Sequence, residues 1–538
     1  MKKLSFVSII TTLFFTSCTS PNPTKLVVYI VSDQAAPFIL DKYDHLFTGG
    51  FRWLIDNGIV FNDAHHNHGN TSTAPGHFAL STGVFPGNGG IVENEWYDRR
   101  LKRSYYAVED TTVSNLSGKE IIGRSYRYIK DSSLSDWMKQ SNVNAKVVSL
   151  SGKDRSAVLF GGNNPDLVLW YDKKGAYSTS TYYDESLPSW VQDFNTRLNV
   201  KSYMDSTWNL VKSLEVYEQN TRIDNFKGEK IVSKKKRATP TLPLILGDIS
   251  LQSLLEGFYE YPQGDKSLFN LAYESIERLN LGEDNIPDLL FIGLSATDGV
   301  GHHFGPHSVE QLDNHLRLDS ELMKMINYIE NKVGSGNAIY VFSSDHGALE
   351  LPESLKLKTI DAGRVSSQQE KKVFAQILNQ IDLKIGPGKV VEYNNNFYFH
   401  NGLTDKEKKI ASNTIKDLVF NIEGVRMALS PKEIMGLPKS KENTRLKNMI
   451  HPTRSPDIYV ILKENWLWRS TPGTSHGSHY SYDSHIPLIF SKKGIKHSIQ
   501  NKSVYSVDAS PTIAKYLGLK YPKEIALQYI FEIYLLYH

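Results

Sequence analysis

Long apolar runs rich in β-branched residues recur along the chain, and three of them end in aspartate. Leu26-Val27-Val28-Tyr29-Ile30-Val31 leads to Asp33, Leu289-Leu290-Phe291-Ile292-Gly293-Leu294 to Asp298, and Ile339-Tyr340-Val341-Phe342 to Asp345. Runs without polar alternation predict strands buried on both faces of a parallel sheet. Further strands are expected at Ala145 to Leu150, Asp166 to Trp170, Asp457 to Leu462 and Ile486 to Phe490. Leu312, Leu316, Leu322, Met323, Ile326 and Ile329 fall at helical spacing, which predicts a helix returning the chain to the strand that ends at Asp345. Strand-like and helical patterns alternate over most of the length without a repeat of fixed period, so the expected class is α/β. Ligands of such sheets collect beyond the carboxyl ends of the strands, where the three aspartates would meet. His302 and His346 stand beside two of them, and acids with imidazoles make a metal site the leading reading.

Two long stretches interrupt this pattern, about 130 residues after Lys153 and about 110 after His346. Structureless loops of that length are uncommon in compact domains. They are read as insertions at about 160–285 and 350–455 that cap the site. The first holds a helix start at Leu187 to Val191; the second holds a strand at Val390 to His400 and a helix from about Thr404.

Composition excludes disordered and fibrous classes, with 40% hydrophobic and 22% charged residues. A net charge of +3 on 538 residues leaves no sign of a nucleic-acid-binding module. Residues 1–17 read as a secretory signal: Met1-Lys2-Lys3, an apolar stretch to Phe15, then Thr16-Ser17. Cys18, the only cysteine, follows that small pair as in a bacterial lipobox. The expectation is a lipidated Cys18, a tether over 18–24 and one catalytic domain over 25–538, in the periplasm or on the cell surface and anchored to the outer membrane. That domain would then hold together without disulfides.

Thr71-Ser72-Thr73-Ala74-Pro75-Gly76-His77 places Thr73 at or just before a helix N-terminus, where free N–H groups and the dipole favour anions. Taken alone, Thr73 is a helix cap. It stands, however, among seven ordered motifs. They are Ser32-Asp33; Thr73 to His77; Thr82-Gly83 with Gly90 to Asp98; Ser151-Gly152-Lys153-Asp154-Arg155; Asp298 to His302 with Gly305-Pro306; Ser344-Asp345-His346-Gly347; and Thr474 to Ser478 leading to Tyr482-Asp483-Ser484-His485. With them, from about residue 25 to 520, the chain resembles the alkaline phosphatase superfamily. The resemblance is strongest to the bacterial phosphate-irrepressible alkaline phosphatases, which are related to the type I phosphodiesterases and nucleotide pyrophosphatases.

The resemblance implies an alkaline-phosphatase-like fold, a mostly parallel central sheet with helices on both faces and inserted cap segments. It implies two zinc ions, one held by Asp298, His302 and His476, the other by Asp33, Asp345, His346 and the Thr73 oxygen; manganese is the other metal considered. Thr73 would be the nucleophile of a phosphothreonine mechanism, and Asn94, Lys153 and Arg155 would bind the phosphoryl oxygens. A guanidinium with a nearby ammonium matches a monoester dianion better than a diester. The expected activity is therefore hydrolysis of small phosphomonoesters to an alcohol and phosphate, by a monomer that meets the membrane only through its lipid. The alternative is a phosphodiesterase or nucleotide pyrophosphatase on the same two-metal site; after it comes a catalytically inactive surface-binding lipoprotein. His303, His307, His479 and His485 compete for ligand roles but fit the motifs less well, and His65, His66, His68 and His77 are expected to be structural or to support the ligands.

Overall fold

The computed structural model describes residues 24–522, so the expected signal segment, Cys18 and the apolar end from Ile525 lie outside the described residues. Nine strands form one sheet: β1 Leu26–Ser32, β2 Gly58–Phe61, β3 Val147–Ser151, β4 Leu167–Tyr171, β5 Tyr177–Ser178, β6 Asp288–Leu294, β7 Ala338–Ser343, β8 Leu488–Ser491 and β9 Ser498–Gln500. Their order is β5-β4-β3-β6-β1-β7-β8-β2-β9. The block β4-β3-β6-β1-β7 is parallel throughout, whereas β5 and β8 run against their neighbours. The Ile486 to Phe490 run is thus one of two antiparallel members of a largely parallel sheet.

The apolar runs behave as their lack of alternation demands. All seven residues of β1 are buried. Val28 and Ile30 join one hydrophobic cluster, while Val27, Tyr29 and Val31 join the cluster on the opposite face. Helices cover both faces. The helix Val309–Lys332 lies on the first, with Leu312, Leu316, Leu322, Ile326 and Ile329 in the cluster and Met323 at its edge. On the second, Leu80 of the Thr73–Thr82 helix packs with Trp137, Phe160 and Ile513.

The two long stretches differ from each other. Residues 160–285 are not a separate cap: they supply β4 and β5, and Phe194, Trp208, Leu254 and Phe269 belong to the main cluster. Residues 350–455 carry a cluster of their own, around Phe374, Ile377, Phe397 and Ile415, which Ile458 and Val460 complete. The expected sheet strand at Asp457 to Leu462 is part of this body; Tyr459–Leu462 pairs with Val425–Leu429. The single strand expected at Val390 to His400 is a hairpin, Val390–Tyr393 against Asn396–Phe399. Asn394 and Asn395 turn it with φ of 48° and 61°, a left-handed conformation that asparagine tolerates. Among the described residues no helix is long and apolar enough to cross a membrane.

Candidate metal centre

Four adjacent parallel strands, β3, β6, β1 and β7, deliver their carboxyl ends to one place. Asp33 follows β1, Asp345 and His346 follow β7, and Lys153 follows β3. Asp298 lies in the first turn of the helix Ala296–Phe304 after β6, and His302 is one turn further on. His476 arrives from the Thr474 to Ser478 loop.

These residues form two groups whose ligand atoms converge: Asp298, His302 and His476, and Asp33, Asp345 and His346. Asp298 Oδ1 lies 3.1 Å from His302 Nε2 and 3.6 Å from His476 Nε2. His346 Nε2 lies 3.1 Å from Asp33 Oδ1 and 3.7 Å from Asp345 Oδ2. The groups are contiguous, since the His346 and His476 rings stack at 3.4 Å.

The donor set fits metal ions on two observations. Each histidine holds its Nδ1 against a backbone carbonyl, His302 on Thr474 at 2.9 Å, His346 on Gly347 at 3.0 Å and His476 on Thr71 at 2.8 Å. A ring that donates through Nδ1 presents the Nε2 lone pair to the site, as a ligand must. In addition, Asp33 Oδ1, Asp345 Oδ2 and His346 Nε2 are buried with no hydrogen-bond partner, a costly state unless a cation satisfies them.

Thr73 opens the helix Thr73–Thr82, with Ser72 as its cap residue. The helix presses against Asp345 because residue 76 is glycine; a Cβ there would lie 2.0 Å from the Asp345 carbonyl oxygen. The Thr73 hydroxyl accepts a hydrogen bond from Arg155 Nη2 at 3.1 Å. Asn94 Oδ1 accepts the Ala74 N–H at 2.8 Å, which leaves the Asn94 amide nitrogen as a donor. Lys153 is the cap residue, and Arg155 in the first turn, of the helix Asp154–Gly161. Cations oppose the dipole at that end, so their place there answers to an anion rather than to the helix.

Burial lowers the Lys153 pKa, but Asp298 and Asp33 outweigh it and hold the ammonium above its ordinary value. Its Nζ bridges the two groups, donating to Asp33 Oδ2 and, at 2.7 Å, to Asp298 Oδ2. Burial raises the Asp298 pKa, yet His302 and Lys153 more than reverse this and keep it well below the carboxylate range. Arg155 is likewise kept charged: Tyr106 and Asp154 overcome the lowering by burial.

Of the other histidines, His303, His307, His479 and His485 find their partners outside the two groups. His303 meets Lys230, His307 meets Glu350, and His485 bonds the Asn62 carbonyl. His479 packs on Tyr480. His77 sits behind the second group, its Nδ1 3.3 Å from Asp345 Oδ2.

Four supporting residues escaped the sequence reading. Gln34 donates its side-chain amide to Asp298 Oδ1 at 2.8 Å and its N–H to Asp345 Oδ1 at 3.3 Å, tying one group to the other. Asp265 accepts the N–H groups of Ser295 and Ala296 at 2.9 and 3.2 Å, at the start of the helix that bears Asp298 and His302. Tyr106 accepts from Arg155 Nη1 at 3.3 Å and donates to Asp154 at 2.5 Å. Glu93 accepts from the Ser72 hydroxyl and the Asn94 N–H. Gln34 and Glu93 each adjoin a recognised residue, which is the signal that was available; Asp265 and Tyr106 carried none.

The family model for type I phosphodiesterase / nucleotide pyrophosphatase matches residues 27–483, which include both ligand groups. The chain is 32% identical over 513 residues to alkaline phosphatase PhoV of Synechococcus elongatus, covering 93% of this chain and 90% of that one. It is 32% identical over 518 residues to alkaline phosphatase PafA of Elizabethkingia meningoseptica, covering 93% of each. It superposes on the crystal structure of alkaline phosphatase PafA with a TM-score of 0.86 and 32% identity, over 94% of this chain and 98% of that one. The chain belongs to the type I phosphodiesterase / nucleotide pyrophosphatase family, with the fold of a bacterial alkaline phosphatase.

Proposed function

We propose that the protein is a zinc-dependent alkaline phosphatase that hydrolyses small phosphomonoesters to an alcohol and inorganic phosphate through a phosphothreonine at Thr73. The carrying observation is the Thr73 hydroxyl at a helix N-terminus, 3.1 Å from the Arg155 guanidinium and beside two converging acid and histidine groups. Imidazole with carboxylate suits zinc better than magnesium. Asp298, His302 and His476 would hold one ion, and Asp33, Asp345, His346 and the Thr73 oxygen the second. When bound, such ions lower the pKa of a coordinated hydroxyl or water and neutralise charge on the reacting oxygens.

The chain's own groups do the positioning. Arg155 and the Asn94 amide bind the non-bridging oxygens, with the Lys153 ammonium held nearby by Asp33 and Asp298. The Thr73 oxygen forms a bond to phosphorus as the ester oxygen departs with the alcohol; water then attacks phosphorus in line and the Thr73 oxygen leaves. Arg155 and Lys153 favour a dianionic monoester over a monoanionic diester. A solved variant of alkaline phosphatase PafA carries substitutions of a threonine, an asparagine, a lysine and an arginine, the residue types of Thr73, Asn94, Lys153 and Arg155 here.

We further infer a monomer, exported and tethered by a lipidated Cys18 to the outer membrane, facing the periplasm or the exterior. Palmitate labelling that persists in Cys18→Ser would refute the anchor. The activity is tested by phosphate release from an aryl phosphomonoester and the matching diester, using wild type, Thr73→Ala and chelator-treated protein. Monoester cleavage should dominate and should vanish in Thr73→Ala. A monoester to diester ratio below one would establish the diesterase reading suggested by the family's name.

A further inference from the structure

A cleft of about 520 Å³ opens between the catalytic body and the cap, lined by Ser72, Glu93, Asn94 and His476 on one side and Asn395 and Trp466 on the other. Glu93 belongs to neither metal group. Both hydrogen bonds it accepts, from the Ser72 hydroxyl and the Asn94 N–H, fall on Oε1. Its Oε2 accepts none from the described residues. Glu93 faces the cap across this cleft, whose lining it shares with Asn394, Asn395 and Tyr459. The hairpin tip closes over this side, with Tyr393 OH donating to Glu95 and Asn394 Nδ2 reaching the Glu95 carbonyl at 3.4 Å. A carboxylate so near a phosphate site repels the phosphate itself, so its recognition value lies with the other end of the substrate.

We propose that Glu93 is the polar determinant of a leaving-group subsite between body and cap. This subsite takes phosphomonoesters whose alcohol carries an ammonium or hydroxyl donor, and rejects those whose alcohol carries a carboxylate. The inference rests on the phosphomonoesterase reading and adds a substrate class to it. An ammonium on a two-carbon alcohol pairs with the open Glu93 oxygen, a hydroxyl donates to it, and a carboxylate meets a like charge in a partly desolvated cleft.

The test compares three matched esters, 2-aminoethyl, 2-hydroxyethyl and carboxymethyl phosphate, with wild type and Glu93→Gln. Glutamine keeps an oxygen for Ser72 and the Asn94 N–H, so the variant changes charge with little change of shape. Wild type should favour the aminoethyl over the carboxymethyl ester in kcat/KM. The ratio should fall about tenfold in Glu93→Gln, a change that cancels the intrinsic reactivity of each ester. A ratio unchanged within about twofold in the variant, or a wild-type preference for the carboxymethyl ester, overturns the subsite. If wild type cleaves the hydroxyethyl ester and the ratio stays fixed, the subsite alone falls; if it cleaves none of the three, the monoesterase reading falls with it.

Discussion

Asp265→Ala isolates how the sheet holds one metal group in place. The carboxylate accepts Ser295 N–H at 2.9 Å and Ala296 N–H at 3.2 Å on one oxygen, and Ala296 again at 3.3 Å on the other. Ser295 is 2% exposed and Ala296 fully buried, so water cannot replace the lost acceptor. Each stranded buried donor costs about 1–3 kcal/mol, and the substitution strands two. A loss of about 3–5 kcal/mol of stability follows from those terms. Because the same helix carries Asp298 and His302, the Asp298, His302 and His476 group should lose metal affinity by roughly 10- to 100-fold, with the Asp33, Asp345 and His346 group little affected.

The assay is a urea titration of the metal-free protein together with metal stoichiometry after graded chelation. Asp265→Asn provides the conservative control, since its amide oxygen can still accept both N–H groups. A loss below about 1 kcal/mol in Asp265→Ala, or equal metal loss from both groups, would refute the reasoning. A pH signature accompanies it. Burial pushes the Asp265 carboxyl up to about 7, against the lowering by the Ser295 and Ala296 N–H groups. The folded protein then keeps a proton that the unfolded chain has released above about pH 4. The associated stability is fully present below that pH and is lost as pH rises toward 7. Wild type should therefore weaken more between pH 4 and 7 than Asp265→Asn does.

Tyr106→Phe removes the hydroxyl that accepts from Arg155 and donates to Asp154; kcat/KM for an aryl monoester should fall about tenfold, roughly 1.4 kcal/mol, with the diester rate affected less, and an equal loss on both would sink the Arg155 assignment. Gln34 sits at φ 64°, so Gln34→Val should destabilise by about 1–2 kcal/mol through strain, whereas Gln34→Gly relieves strain but loses the bond to Asp298 and should show weaker metal retention at near-normal stability. Ser133 forms a capping box with Asp136 at the start of Leu134–Ser141; Ser133→Ala should cost about 1 kcal/mol in urea titration with an unchanged rate per folded molecule.

Strands buried on both faces were legible because nothing polar interrupts them, and the face of Val309–Lys332 was legible because its apolar positions recur at helical spacing. Where one apolar run admits several partners, pattern alone predicts a strand but names no neighbour. Tyr459–Leu462 reads like a sheet strand, yet it completes the cap cluster through Val460 and Leu462. The Val390 to His400 run hides its turn because asparagine serves as glycine would, at two successive left-handed positions. Beyond Leu167–Tyr171, residues 160–285 lack the uninterrupted runs of the sheet centre, but their scattered aromatics, Phe194, Trp208 and Phe258, fill the same core, and burial of isolated aromatics leaves no period to read.

The same distinction separates the site residues that sequence exposed from those it hid. The residues proposed to meet substrate or metal stand at the end of a strand or the start of a helix; Asp33, Asp298 and Asp345 are marked by that position, whereas Thr73, a helix cap when taken alone, is picked out only by the motifs around it and the resemblance they carry. Residues that hold them need only reach. Asp265 comes from the helix Pro262–Leu279, about 30 residues before the helix it caps, and Tyr106 comes from a hairpin strand nearly 50 residues before Arg155. Their side chains matter through where the tertiary fold puts one oxygen, and that placement is invisible until strands β3, β6 and β1 stand side by side. Gln34 is the intermediate case: it follows Asp33 directly, but its link between the two groups depends on a left-handed backbone that glutamine rarely adopts. A residue held there against its preference, with its N–H on Asp345 and its amide on Asp298, is best explained as the element that sets the separation of the two groups.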